Sequence, residues 1–352
     1  MAERVVLHVG LMKSGTTYLQ QRLMASYDVL RAQGVLFPGK RWKNQVLAVV
    51  DVLGLDRVPE GFKPGAWQRL VDEVAEWPGL AVISMEFLAV AKPREIRRVV
   101  RSFKDTKVEV IVTARDLGRT VPAMWQEEIK NAYAMTFDEF VASIRHPRSR
   151  DGLRFWRTHG LDGAVKRWSR AVGRRNLTVV TVPPPGGDRE LLWRRFCEAT
   201  GIPVDAYVES GKANESLGAA STEVMRRVNV ALQARQLPWG DYDRVVKRLF
   251  GQNVLGPHRP EEEGIGVTVP GWLRRRAERM VQLVAKRDVR VIGDLDELTP
   301  RDVRGVDPSS VSAEQALDAS VAAIVALLER EIERGHEGPK KGRGHSDSGQ
   351  TV

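Results

Sequence analysis

Val5-Val6-Leu7-His8-Val9-Gly10-Leu11-Met12-Lys13-Ser14-Gly15-Thr16-Thr17-Tyr18-Leu19 follows the first four residues and says most about how this chain folds. The apolar, β-branched run into Gly10 predicts a short buried strand. A Gly/Ser/Lys loop comes next. Leu19, Leu23, Tyr27 and Leu30 then recur at helical spacing, so a helix is expected over about 17–33. A strand, tight loop and helix in that order turn free backbone N–H groups and the positive end of a helix dipole toward the loop. Lys13 adds a point charge, and Ser14, Thr16 and Thr17 add hydroxyls. The chemistry asks for a phosphate-like anion.

Outward from that segment the pattern repeats. Short runs rich in β-branched residues at Val5–Val9, Ala81–Met85, Val108–Thr113 and Leu177–Val182, with a weaker one at Val289–Ile292, predict strands. Helical periods at about 64–76, 93–103, 119–131, 137–145, 162–172, 188–199, 217–234, 241–250 and 271–287 fall between and after them. Strands alternating with helices predict an α/β fold, a parallel sheet flanked by helices on both faces, with a helical C-terminal half. Ser312 and Gln315 form a capping box for a last helix that Gly335 ends. His336 to Val352 is Gly-, Lys-, Ser- and Asp-rich without apolar periodicity and is expected to be a disordered tail. One domain over residues 1–335 is the expectation.

Composition narrows the class. The 352 residues are 42% hydrophobic and 28% charged, too apolar for global disorder. The longest nearly unbroken apolar run, Ala319 to Leu328, is about half of the ~20 residues a membrane helix needs. No integral membrane segment is expected, and the amino terminus carries no long apolar stretch of the kind signal peptides have, so the expected location is cytoplasmic. The one cysteine, Cys197, excludes an internal disulfide and reads as a small hydrophobe in a helix. Lys plus Arg number 55 against 45 Asp plus Glu, a net charge of +10 that suggests an anionic partner. No basic stripe with interleaved aromatics points to nucleic acid.

Spacing decides which anion. A Walker A loop places lysine directly after its second glycine. Here Lys13 stands two residues before Gly15, and no G-x-G-x-x-G is present. The order Lys13-Ser14-Gly15-Thr16-Thr17, followed by an aromatic and preceded by a first strand, instead resembles the 5′-phosphosulfate loop of sulfotransferases that use 3′-phosphoadenosine 5′-phosphosulfate (PAPS). Met12 stands where that family usually has proline, and Tyr18 where it has tryptophan. The resemblance implies a P-loop NTPase-like three-layer α/β/α fold, PAPS as donor with 3′-phosphoadenosine 5′-phosphate (PAP) as product, and no metal. It implies Lys13, Ser14, Gly15, Thr16, Thr17 and Tyr18 around the 5′ end, with Lys13 also catalytic. Arg31–Gly39 and Asn214–Gly218 also look like segments of sulfotransferase-like proteins from actinobacteria.

Two further strand ends bear on the site. Val108 to Thr113 leads into Ala114-Arg115-Asp116, and the family places a 3′-phosphate arginine there, implying that role for Arg115. A guanidinium suits bidentate phosphate recognition, although Arg115 paired with Asp116 or another acid is the plain structural alternative. The family's serine eight residues later is Ala123, and Arg119, one helical turn earlier, is the expected substitute. The strand Ala81 to Met85 ends at Glu86, where the family often carries its general base. A carboxylate opening a helix is the alternative there. Ser84 could touch the cofactor. His8 is expected to be hydrogen-bonded packing, and Trp125, Phe155, Trp156 and Trp168 either core or the lining of an acceptor pocket. A sulfotransferase acting on a hydroxyl or amine of a small-molecule or carbohydrate acceptor is the functional expectation. A P-loop small-molecule kinase or NTPase, and a PAP-binding protein without turnover, are the alternatives.

Overall fold

The computed structural model describes residues 2–55, 59, 61–188, 190–205, 208 and 216–336. Asn214 and Glu215 lie outside them, as does the expected tail beyond His336. In chain order the elements are β1 (Arg4–His8), α1 (Thr16–Ala25), α2 (Tyr27–Ala32), β2 (Val35–Leu36), α3 (Trp42–Leu53), α4 (Ala66–Ala75) and β3 (Leu80–Ser84). Next come α5 (Pro93–Arg101), β4 (Lys107–Ala114), α6 (Leu117–Lys130), α7 (Phe137–Arg145), α8 (Arg150–His159), α9 (Leu161–Val172), β5 (Leu177–Thr181) and α10 (Leu191–Thr200). Then follow α11 (Ala219–Leu232), the short α12 (Trp239–Asp241) that runs into a π-helical stretch Tyr242–Leu255, α13 (Gly271–Ala285), β6 (Arg290–Ile292) and α14 (Ala313–His336).

The described residues gather into two compact units. The larger draws on Met1–Glu127, Met135–Glu215 and Ile265–Gly305; the smaller on Glu128–Ala134, Ser216–Gly264 and the residues from Val306 onward.

In the larger unit a six-stranded, all-parallel sheet runs in the order β2-β3-β1-β4-β5-β6. The expected α/β architecture is the one found. Successive residues of a strand face opposite sides, and Val6, Val82, Ile111 and Val180 share one face with Leu19 and Leu23 of α1, Leu30 of α2 and Trp193 and Phe196 of α10. On the other face α9 packs on β4 and β5, with α5 against α9 and α3 against α5. Burying each large side chain in these layers contributes about 1.5–3 kcal/mol. Because β1 is central, with β3 and β4 as direct neighbours, the loops leaving those three strands meet at one edge of the sheet.

Three departures from the periodicities have local causes. The helix expected over 17–33 is two helices, broken at Ser26, whose hydroxyl accepts the distant Val208 N–H at 2.8 Å. The α3 segment is apolar on most sides, with Val46, Ala48, Val49, Val50, Val52 and Leu53 all buried, so it shows no clean stripe. The α8 segment, with Arg150, Arg154 and Arg157, reads as a basic run; in the structure Ser149 caps it by accepting the Gly152 N–H at 3.1 Å.

The smaller unit is helical. Asn229 of α11 donates to the carbonyls of Ile129 at 2.7 Å and Tyr133 at 2.8 Å and accepts the Tyr242 hydroxyl at 2.7 Å. The expected box at α14 is present, with Ser312 and Gln315 exchanging bonds of 2.9 and 3.1 Å. Ala316 and Ala323 form its buried side, while Leu317, Val321, Ile324 and Leu328 are exposed. Among the described residues no helix is long and apolar enough to cross a membrane.

Candidate functional site

The loop between β1 and α1 is a left-handed cradle. Gly10, Lys13 and Gly15 have φ of +40°, +62° and +79°. Gly10 and Gly15 are glycine for two reasons at once, conformation and space. A Cβ at Gly10 would come 2.4 Å from the Thr16 methyl, and one at Gly15 would come 2.4 Å from Leu192 Cδ2. β1 continues to pair past its end, the N–H groups of Val9 and Leu11 donating to Ile111 and Thr113 at 2.9 Å each. Gly15 starts α1 without any side-chain cap, so the dipole end of the helix faces the cradle.

A buried polar chain supports the cradle from below. His8 Nδ1 meets the Ser84 hydroxyl at 2.7 Å and Nε2 meets Thr113 Oγ1 at 3.1 Å; Thr113 meets Ser14 Oγ at 2.7 Å, and Ser14 donates to the Leu11 carbonyl at 2.5 Å. One proton order satisfies every member: Ser84 O–H to Nδ1, Nε2–H to Thr113, Thr113 O–H to Ser14, Ser14 O–H to Leu11. The Ser14 hydroxyl thus turns inward and sets the loop's shape, and Ser84 binds His8. His8 is the hydrogen-bonded packing residue that was expected. Thr16 is buried, and Thr17 is exposed at the first turn of α1.

Lys13 lies along the upper wall, its Nζ donating to Glu127 of α6 at 2.8 Å. Glu86 follows β3 on the other side, where its carboxylate accepts from Gln20 Nε2 of α1 at 2.8 Å. Gln20 also donates to the Ser84 carbonyl at 3.1 Å, which fixes its amide and with it Glu86. Desolvation raises the Glu86 pKa; the Gln20 bond and the Lys13 charge oppose the rise, and Glu127 adds to it.

At the end of β4, Arg115 is held apart from Asp116. Its Nη2 donates to the Arg119 carbonyl at 2.8 Å, and its buried Nε has no hydrogen-bond partner. Asp116 caps α6, accepting the Arg119 N–H at 3.0 Å, and its other oxygen takes the Arg119 guanidinium. The same guanidinium donates to the Pro183 carbonyl at 3.0 Å. Burial and the nearby Arg119 lower the Arg115 pKa to about 10, leaving it cationic at neutral pH.

His159, the last residue of α8, joins this group without having been singled out in the sequence. It is 2% exposed, its ring lies 4.6 Å from the Phe155 ring, and neither ring nitrogen has a hydrogen bond of ordinary geometry. Burial, with Lys13 and Arg115 adding to it, lowers its pKa to about 3; the Met12 main chain acts weakly the other way. Glu127 and Gln20 also went unremarked in the sequence. Glu127 sits eight residues, just over two helical turns, after Arg119 on α6, the one spacing signal that could have drawn attention to it.

Tyr18 is further round α1. Its ring carries the Arg22 guanidinium at 5.0 Å and its hydroxyl reaches Glu190 at 3.5 Å. Trp125, Phe155, Trp156 and Trp168 are all buried, and the indole N–H groups of Trp125 and Trp156 donate to the Met135 and Ile144 carbonyls at 2.9 and 2.8 Å. They are core. Cys197 is buried, with its thiol pushed up to about 12 by desolvation, an inert small hydrophobe. Among the described residues no group of three or more His, Cys, Asp or Glu side chains gathers as metal ligands would.

His8, like His159, is held neutral by burial, with its pKa lowered to about 3. In the unfolded chain both rings take a proton below about 6.5, so this contribution to stability is complete above that pH and is lost as pH falls toward 3. The expected loss is roughly 2–3 kcal/mol per histidine by pH 4.5. Urea unfolding measured from pH 7 to 4.5 checks it, and a flat profile would refute it.

No family model matches the chain, and no curated protein matches it. A crystal structure of a sulfotransferase from Alicyclobacillus acidocaldarius is similar over 69% of this chain and 95% of its own, at 16% identity and a TM-score of 0.42. A likeness of that size assigns neither activity nor ligand.

Proposed function

We propose that this chain is a cytoplasmic sulfotransferase that uses PAPS and sulfonylates a hydroxyl or amine of a small-molecule or carbohydrate acceptor. One observation carries the proposal: the sheet brings a cationic cradle, a half-buried carboxylate and a half-buried arginine together from the ends of β1, β3 and β4. The residues fit a nucleotide phosphorylated at two positions. Arg115 Nε is buried without a partner, and the first turn of α1 has no side-chain cap. When bound, PAPS supplies the sulfonyl group and leaves as PAP.

Lys13 and the start of α1 would hold the 5′ end, Lys13 exchanging Glu127 for the anion and opposing charge that develops on the leaving phosphate. Arg115 would hold the 3′-phosphate through a bidentate contact, with Arg119 orienting it through its carbonyl. Glu86, kept in place by Gln20, would take the acceptor's proton. Positioning and fixed charge would thus supply most of the rate.

Thermal-shift titration with PAP, ATP and ATP–magnesium tests the donor. Stabilisation by PAP without metal is the expected result. A response to ATP–magnesium alone would favour a kinase or NTPase and refute this proposal.

Glu86 gives a second test. As a base it must be ionised, and its raised pKa puts the acid limb of kcat/KM above the ordinary carboxylate range, with activity rising as pH rises through it. In Glu86→Gln that limb should vanish and kcat fall about 10²–10⁴-fold, the usual worth of a positioned base. An unchanged pH profile in the variant would assign the base elsewhere.

A further inference from the structure

Among the described residues of this edge, His159 is a buried side chain neither of whose ring nitrogens makes a hydrogen bond of ordinary geometry. It comes from α8, whose sequence neighbours say nothing of an anion, and reaches the Met12 main chain in the cradle. Its ring lies 4.6 Å from that of Phe155, which itself packs on Phe140 and Trp156, inside a buried aromatic cluster. Burying an imidazole whose only protein partner is a poorly aligned contact with the Met12 main chain costs about 1–3 kcal/mol. Such a group calls for a partner that the protein itself does not supply.

Electrostatics says which ligand. The charges that bear on His159 are Lys13 and Arg115, both positive, both opposing its protonation. The elements packed against α8 carry Glu86 after β3, Asp138, Glu139 and Arg145 on α7, and Asp162, Lys166 and Arg167 on α9. An anion that neutralises Lys13 and Arg115 would remove the repulsion and add attraction. The imidazole would then favour its charged form, in which both nitrogens donate.

We infer that His159 is a proton-coupled ligand of the cradle: neutral when no anion is held, imidazolium when a polyanionic nucleotide spans Lys13 and Arg115, donating to that nucleotide. Binding then takes up a proton from solvent onto His159, with no covalent change. Affinity is highest at low pH and falls as pH rises through the bound-state pKa of the ring. The inference rests on the anion site proposed above.

The test is calorimetric titration of the full chain with PAP at pH 6 in two buffers of different ionisation enthalpy. Wild type and His159→Gln are compared, so that the nucleotide's own phosphate ionisation cancels. Wild type is expected to take up about half to one proton more than the variant, and its affinity to fall with rising pH more steeply, by up to about tenfold per unit. Equal proton uptake in the two proteins would overturn the inference while leaving the anion site standing. Failure of wild type to bind PAP at all would overturn the anion site and the inference with it. Nitrogen-15 spectra of the imidazoles in wild type, with and without PAP, give the same answer without a variant. One buried ring should change from the neutral to the imidazolium pattern, and no such change would refute the proton transfer.

Discussion

Lys13→Ala is expected to lower kcat/KM for sulfonyl transfer by at least about a hundredfold and to abolish stabilisation by PAP. Lys13 is the cation of the cradle itself and would act most where charge builds on the leaving phosphate, so kcat should fall along with affinity. Its loss takes a cation from beside the Glu127 carboxylate, whose negative charge would then oppose the anion more strongly. The double variant Lys13→Ala, Glu127→Gln should therefore recover part of the binding while kcat stays low. Folding is not the explanation, because the Lys13–Glu127 pair is about a quarter exposed on both sides and such pairs contribute about 0–1 kcal/mol. A melting temperature within a few degrees of wild type, alongside lost turnover, is the expected pattern. A variant that retains wild-type kcat/KM would remove Lys13 from the chemistry.

Arg115→Ala should separate the two ends of the donor. Losing a charge-assisted phosphate contact costs about 1.5–3 kcal/mol, so affinity for PAP should fall roughly 10- to 150-fold. Affinity for adenosine 5′-phosphosulfate, which lacks the 3′-phosphate, should change less than about threefold, being within the spread of surface substitutions. Stability should hold, since Arg115 has a single carbonyl partner and its charge opposes that of Arg119. Arg119→Ala should do the opposite. It strips the guanidinium from Asp116, whose side chain is only 5% exposed, and breaking a buried pair costs about 3–5 kcal/mol. If Arg119→Ala weakens PAP binding without destabilising the fold, then Arg119 contacts the phosphate directly. If Arg115→Ala weakens both nucleotides equally, the 3′-phosphate lies elsewhere.

The sequence was most legible where local and long-range demands agree. β1, the glycine-punctuated loop and α1 could be read because a parallel strand buried on both faces is almost continuously apolar and Gly10 and Gly15 must be glycine. The ends of β3 and β4 were legible for the same reason, and so was the position of Glu86 and Arg115 just past them. What could not be read were contacts made across strands. Nothing local marks Gln20 as the donor to Glu86 or Glu127 as the partner of Lys13, because sheet order brings those pairs together. β2, only Val35 and Leu36, is too short to carry a period. Arg119 shows the limit of helical spacing: it lies where the i,i+4 argument puts it, yet its guanidinium goes to Asp116, three residues back, and to the Pro183 carbonyl. His159 was hidden because α8 is mostly charged outside and aromatic inside, which reads as a solvated basic face.

The order of the strands also bears on how the chain comes into being. β1 sits between partners made much later, Ser84 lying 76 and Thr113 105 residues beyond His8. Contacts so distant along the chain make folding slow, since long loops must close before any pairing rewards them. During synthesis the cradle loop therefore leaves the ribosome before β3 and β4 and acquires its shape only after them. Until β4 has emerged, Val9 and Leu11 lack the carbonyls they pair with, and the glycines that make the loop possible leave it shapeless. On the proposed reading, nucleotide protection of nascent chains would then report the pairing of β1 with β3 and β4, switching on only after the segment through α8 is free to pack.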